Sequence, residues 1–290
     1  MTEFDTFLEA AWADHADRAD AVADRLGASL HFVQTSEQVA RYAALVTHVF
    51  GEHLGNGARG IALLESLGAL RAAADSSDAT RALARNIAAL RHAAGDPVES
   101  AALPPEDRVS ALATAASICA ARSDFAHALE AYAEALREAD AGLAEASPAL
   151  RALAVAGNNL AAALEEKKDR DPRETAGMVD AAAGALKYWK LAGTWLEEER
   201  AEYRLARSLL QAGAAAAAAA SARRCVEACE RHDAPAFERF FGHAVLALAQ
   251  RGAGDPAAFE ASRARARDWF EQVSNEERPW CAAELEELAD

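Results

Sequence analysis

The chain has 290 residues, 52% of them hydrophobic, and a formal net charge of −16. It contains 80 Ala but only 3 Ile, 12 Val and 8 Thr, too few β-branched residues for an extended sheet, so its class is all-α. Residues 1–145 carry 11 Lys and Arg against 22 Asp and Glu, and residues 146–290 carry 19 against 24. That balance repels a phosphate backbone and an anionic bilayer, which excludes nucleic acid and membrane as general partners.

The start, Met1-Thr-Glu-Phe-Asp, has neither a positive nor an apolar segment of a secretory leader. The longest low-complexity tract, Ala214–Ala220, is far shorter than a bilayer span. Cys119, Cys225, Cys229 and Cys281 form no C-x-x-C pair; they read as buried, inert thiols, with Cys225 and Cys229 one helical turn apart. A cytoplasmic protein is expected.

Helix starts are marked along the chain. Pro follows a capping residue at Asp96-Pro97, Ser147-Pro148, Asp171-Pro172 and Asp255-Pro256. Capping boxes occur at Thr35 with Gln38, Asp171 with Glu174, Thr194 with Glu197 and Ser274 with Glu277. Gly55-Asn-Gly57, Gly193, Gly213 and Gly252-Ala-Gly254 mark stops. Between these marks the spacing predicts thirteen helices over 4–26, 36–54, 57–74, 78–94, 105–122, 125–143, 148–167, 173–192, 195–212, 214–231, 235–251, 256–272 and 275–289. Short connections make consecutive helices antiparallel hairpins, and no Gly/Ser-rich or Pro-rich linker divides the array.

A repeat emerges from pairs placed eight residues before each turn: Leu67-Gly68, Ala115-Ala116, Leu160-Ala161, Leu205-Ala206 and Leu246-Ala247, spaced by 48, 45, 45 and 41. The following helix opens with small residues and then an aromatic, as in Ala128 and Tyr132 or Gly184 and Tyr188. With Leu112, Ala115-Ala116, Cys119, Asp124-Phe125, Ala128, Tyr132 and Ala135, and then Tyr203 to Gly213 with Ala218, the chain resembles the tetratricopeptide repeat (TPR) family. The resemblance covers about 105–255. The longer period and the missing closing proline depart from that family, and a HEAT- or armadillo-like solenoid is the alternative. The expected fold is a right-handed superhelix of about six hairpins: divergent hairpins over 1–104, TPR-like repeats over 105–273 and a capping helix over 274–290, in one continuous array. In the cap, Trp280, Leu285 and Leu288 are expected to cover the last pair beneath a charged outer side.

No catalytic signature is present: H-E-x-x-H, G-x-S-x-G, G-x-x-x-x-G-K-[ST] and G-x-G-x-x-G after a strand are all missing. Asp14, Asp17, Asp20 and Asp24, with Arg18 and Arg25 between them, read as a solvated helix face. The eight histidines are dispersed; His48 and His53, five apart, do not share a face of an α-helix, so no metal site is expected. Arg223-Arg224 and Arg263, Arg265 and Arg267 read as outward faces paired with Glu227 and Glu260.

The sharper candidate lies in Lys187–Arg204, with two Trp, two Tyr and four cations. The TPR resemblance implies that the first helix of each hairpin lines a concave groove. Arg204 precedes Leu205, Arg200 lies one turn earlier, and Asn159 precedes Leu160. These look like part of the carboxylate clamp by which some TPR proteins hold acidic C-terminal tails. Ala113 and Ser117 stand where that family places a Lys and a second Asn. Surface ion pairs of the two arginines with Glu197, Glu198 and Glu199, and inter-helix packing of Trp189, Trp195 and Tyr203, are the alternatives. The sequence therefore reads as a non-catalytic scaffold or adaptor for protein or peptide, without cofactor, with Asn159, Arg200, Arg204, Trp195 and Tyr203 as candidate ligand-binding residues. An all-helical enzyme or regulatory subunit with an enclosed pocket, and a self-assembling structural protein using the Ala-rich face 212–222, are the rival readings.

Overall fold

The computed structural model describes residues 2–289, which are helical or in turns with no strand among them. Met1 and Asp290, the outer ends of the divisions 1–104 and 274–290, lie outside the described residues. The chain forms two compact units, one running to Asn159 and the other starting at Leu160.

In the first unit, α1 (Glu3–Asp14) opens on a capping box between Thr2 and Asp5. The single helix expected over 4–26 is broken at residues 15–18, and α2 is Ala19–Ala28. Asp14 explains the bend: its carboxylate accepts from Arg18 at 2.5 Å and from Arg25 at 2.7 Å, which closes the turn. The acidic row is thus not one solvated face, and Asp24 pairs with Arg59 on the fourth helix at 2.8 Å. A short 3-10 turn, Leu30–Phe32, leads to α3 (Ser36–Thr47), capped by Thr35 and Gln38 as expected. Its continuation, His48–His53, is a π turn rather than α-helix.

Next come α4 (Gly57–Gly68) and α5 (Arg71–Ala74), where one helix over 57–74 is expected. An extended Leu70 separates them, and Leu67 and Ala73 are buried on either side of it. Then follow α6 (Ser77–Ala93), α7 (Val98–Ala102), α8 (Pro105–Ala121), α9 (Phe125–Ala139) and α10 (Pro148–Glu166), whose residues from Leu160 on belong to the second unit. Pro97 is itself the cap of α7, not its first helical residue. The core joins Phe4, Leu8, Tyr42, Phe50, Leu64, Leu90 and Ile118. Glycine allows α4 to reach the π turn: a Cβ on Gly60 would stand 2.9 Å from that of Phe50.

The residues that carry the repeat resemblance are inside. Leu112, Ala115, Ala116 and Cys119 of α8 and Ala128, Tyr132 and Ala135 of α9 are all buried, and α8 packs on α9. Small side chains at that crossing let the backbones approach, while the Tyr132 hydroxyl donates to the Leu153 carbonyl at 3.1 Å. Asp107, also buried, accepts from Arg81 at 2.8 Å and Arg85 at 2.7 Å. Burial pushes its carboxyl up, but the hydrogen bonds from the two arginines outweigh it and leave the group below its usual range.

The second unit consists of α11 (Pro172–Ala192), α12 (Trp195–Gln211), α13 (Ala215–Arg231), α14 (Ala236–Gly252) and α15 (Pro256–Phe270), each packed on the next. Part of the Ala-rich tract is used internally: Ala218, Ala219 and Ala222 are buried against Leu209, Leu210 and neighbouring helices. The last segment is not one helix over 275–289. Ser274 and Glu277 bond each other in a turn, followed by a 3-10 turn, Arg278–Cys281, and α16 (Ala282–Glu287). Leu288 is buried and Leu285 joins the core, but Trp280 is 74% exposed and covers nothing.

Five helix ends, those of α6, α8, α12, α13 and α14, share one turn. Asp96, Asp124, Ala214, Ala234 and Asp255 each donate their amide to a carbonyl five residues back, at 2.8–3.0 Å. The residue before each, respectively Gly95, Ser123, Gly213, Asp233 and Gly254, has positive φ. This is the Schellman termination, which satisfies carbonyls that the helix end leaves open.

Candidate functional site

The capping box of Thr194 and Glu197 starts α12 at Trp195 and sets its phase. The helix packs against α11, α13 and α14, and its charged residues meet charges from almost every neighbour. Arg200, 58% exposed in its side chain, gives Nε to Glu238 of α14 at 3.3 Å and Nη2 to the other oxygen of that carboxylate. Arg204 gives Nη1 to Glu165 of α10 at 2.5 Å, and Ser208 donates to the same carboxylate at 2.6 Å. Arg207 grips Glu287 of α16 with two bonds of 2.7 Å. Glu202 accepts two bonds from Arg224 of α13, at 2.7 and 2.9 Å. The partners of Arg200 and Arg204 are therefore Glu238 and Glu165, not Glu197, Glu198 or Glu199, and that of Arg224 is Glu202, not Glu227. Arg263 does pair with Glu260, at 2.5 Å.

The aromatic candidates divide. Trp195 stacks on His232, with ring centroids 4.8 Å apart and planes within 6°. Tyr203 donates its hydroxyl to Glu284 of α16 at 2.5 Å and meets Phe241 edge-on at 5.5 Å. Burial, and then the Glu284 charge, hold its phenol well above the usual range, so it remains a donor. Glu284 is itself buried, and Glu287 is committed to Arg207. The cap therefore turns two of its acids inward instead of presenting them all to solvent. The fifth candidate, Asn159, is exposed on α10, in the first unit; the other four lie on α12, in the second.

Sequence reasoning missed a strongly perturbed group of this helix. Glu199, placed there among surface ion pairs, is 1% exposed. The thiol of Cys225 donates to its Oε1 at 2.7 Å, Cys229 lies 3.6 Å from the same oxygen, and Oε2 has no partner among the described residues. Burial first, and then the Glu238 charge, push its carboxyl up to about 7 against the pull of both thiols and Arg200. The available signal was the i, i+4 spacing of Cys225 and Cys229, which aims two small side chains at one point of α12. A cavity of about 260 Å³ lies nearby, lined by Val226, Cys229, Glu230, Arg239, His243, Arg265 and Trp269. Burial, and then Arg265, hold His243 below its usual range.

No family model matches the sequence, and no curated protein matches it. Among solved structures the chain is similar to a candidate kinesin light chain from Podosopora anserina with nearly identical TPR-like repeats. That match has a TM-score of 0.52 and 13% identity, and covers 84% of this chain and 100% of that one. It is also similar to BtubC (BKLC) from P. vanneervenii, at a TM-score of 0.49 and 17% identity over 85% of this chain and 90% of that one. The fold is thus that of a TPR-like helical repeat protein. No helix among the described residues is long and apolar enough to cross a membrane.

Proposed function

We propose that the chain is a non-catalytic scaffold that holds a protein or peptide on the faces of its helical hairpins. Its ligand site would comprise Arg200, Arg204, Trp195 and Tyr203 of α12, in the groove that a TPR-like array presents, and Asn159 of α10 is a separate candidate in the first unit. The partner would carry an acidic segment or a C-terminal carboxylate. The observation that carries the reading is Arg200: its guanidinium is exposed, and Glu238 engages only Nε and Nη2. A planar fork with five N–H donors then has its Nη1 edge available for a second carboxylate. The stacked Trp195 and His232 offer a flat apolar surface one turn away. Arg204, tied to Glu165, whose side chain is 7% exposed, acts chiefly by holding α12 in place and adding positive potential.

The test must not leave Glu238 as a bare buried charge, because a broken pair costs more than a pair removed whole. The variant of choice is Arg200→Ala with Glu238→Gln. Tagged wild type and variant would be offered a library of peptides ending in acidic residues and a free carboxylate, with affinities taken from fluorescence anisotropy. The expected result is selection of such peptides by wild type and a loss of about tenfold or more in the variant, with circular dichroism unchanged. Equal affinity in both would place the binding surface elsewhere, and no selection at all would favour the enzyme and self-assembly readings.

A further inference from the structure

The two histidines that an α-helical count separates are brought together by the π turn. In an i to i+5 ring, the residue five positions on returns to the same side, and His48 and His53 do so: their Nε2 atoms are 3.1 Å apart. The end of α1 supplies a third ring. His15 lies with its centroid 4.8 Å from that of His48 and 5.0 Å from that of His53, and the latter two are 4.8 Å apart. One ring nitrogen from each residue lies within 4.8 Å of the others, and all three side chains are half-buried.

The outer partners orient the rings. His48 presents Nδ1 to Glu52 Oε1 at 3.0 Å, and His15 presents Nδ1 to the Trp12 carbonyl at 2.5 Å. A donor Nδ1–H in each leaves Nε2 with its lone pair for an electrophile. A carboxylate or a backbone carbonyl behind the ring is the support that metal-ligating histidines regularly have. Two imidazole nitrogens this close share either one proton or one cation. The spacing suits a cation: zinc–nitrogen bonds of about 2.0–2.1 Å at a tetrahedral angle put ligand nitrogens about 3.3 Å apart.

We infer that His15, His48 and His53 form a binding site for a divalent transition metal ion of the zinc class, with Glu52 and the Trp12 carbonyl as its supports and the fourth position facing solvent. Imidazole donors select Zn²⁺, Co²⁺ or Ni²⁺ over Mg²⁺ and Ca²⁺, which take oxygen. The ion ties the end of α1 to the segment beyond α3, so it stabilises the first unit as any ligand of the folded state does. Trp12 packs its ring 5.1 Å from His15 and 5.2 Å from His48, and its fluorescence reports occupancy. This assignment is independent of the peptide-binding reading, which concerns other residues.

The experiment is titration of the full, untagged chain with ZnCl₂, followed by calorimetry and by the imidazole resonances of its eight histidines. One ion per chain should bind with micromolar affinity or better. Three histidine spin systems should move, the melting temperature should rise by several degrees, and CoCl₂ should give the intense visible bands of a tetrahedral site. Binding should be lost in His53→Ala and weakened in His15→Gln, and retained in His232→Ala. If either of the first two variants misfolds, the histidine resonances of the wild-type protein decide alone. Absence of binding at excess ZnCl₂, movement of other histidines instead, or undiminished binding in folded His53→Ala would overturn the assignment.

Discussion

Glu199 shows how a single side chain can set a pH dependence without touching solvent. Its carboxyl titrates near 4.5 when exposed and near 7 in the fold, chiefly because burial penalises the charge. A carboxyl whose pKa is higher folded than unfolded favours the folded state only while protonated. Its contribution is complete below about 4.5 and is lost as pH rises through about 7. Glu199→Gln keeps the shape and removes the titration. The variant should match wild type at about pH 4 and exceed it by about 2 kcal/mol at about pH 8, read from urea unfolding. An equal difference at both pH values would show that Glu199 is not held neutral. At this scale the sequence was least legible. Arg200 and Arg204 announced themselves as a pair on one face, but their partners, Glu238 and Glu165, lie far along the chain, and local spacing cannot supply contacts made by tertiary packing.

Elements were read more accurately where a cap or a turn is local chemistry. The starts of α10, α11, α12 and α15 fall where Pro and capping residues put them, because one side chain and one amide decide each. The failures share a feature: α1 and α2 bend around the Asp14 ion pairs, α4 and α5 and the end of the chain bend where apolar residues are buried, and periodicity does not see bends. The common Schellman turn allows a direct test. Ser123 and Asp233 hold the left-handed conformation that Gly95, Gly213 and Gly254 adopt at the equivalent places, at a cost that glycine avoids. Asp233 also pairs with Arg239, so Ser123 is the cleaner probe. Ser123→Gly should stabilise the protein by about 0.5–1 kcal/mol in chemical denaturation, while Gly213→Ala should destabilise it by a similar amount. A loss of stability in Ser123→Gly would mean that its side chain contributes more than the backbone strain costs.

For the molecule as a whole, the class and the repeat were legible because they follow from composition and from small residues recurring at the turns. Neither the ion-pair belt around α12 nor the histidine cluster was legible, since each draws on residues from separate helices. The balance of charge makes a third prediction. A net charge of −16 repels itself, and salt screens that repulsion between exposed groups more than it screens half-buried pairs such as Arg207 with Glu287. Adding NaCl should therefore raise the melting temperature in calorimetry, and a fall would mean that exposed pairs carry more of the stability than the buried belt. The π turn has a further consequence, for genealogy. A ring closed five residues back holds one residue more than the α-helical ring it replaces, so a chain with an uninterrupted α-helix here would be one residue shorter. Any alignment of the first unit with an uninterrupted counterpart must open its gap in the last helical turn before Leu54, near Gly51. Gaps are ordinarily assigned to loops, and one placed there instead would shift every position between the true site and the loop by one. Across those few residues it would set inward-facing positions against outward-facing ones.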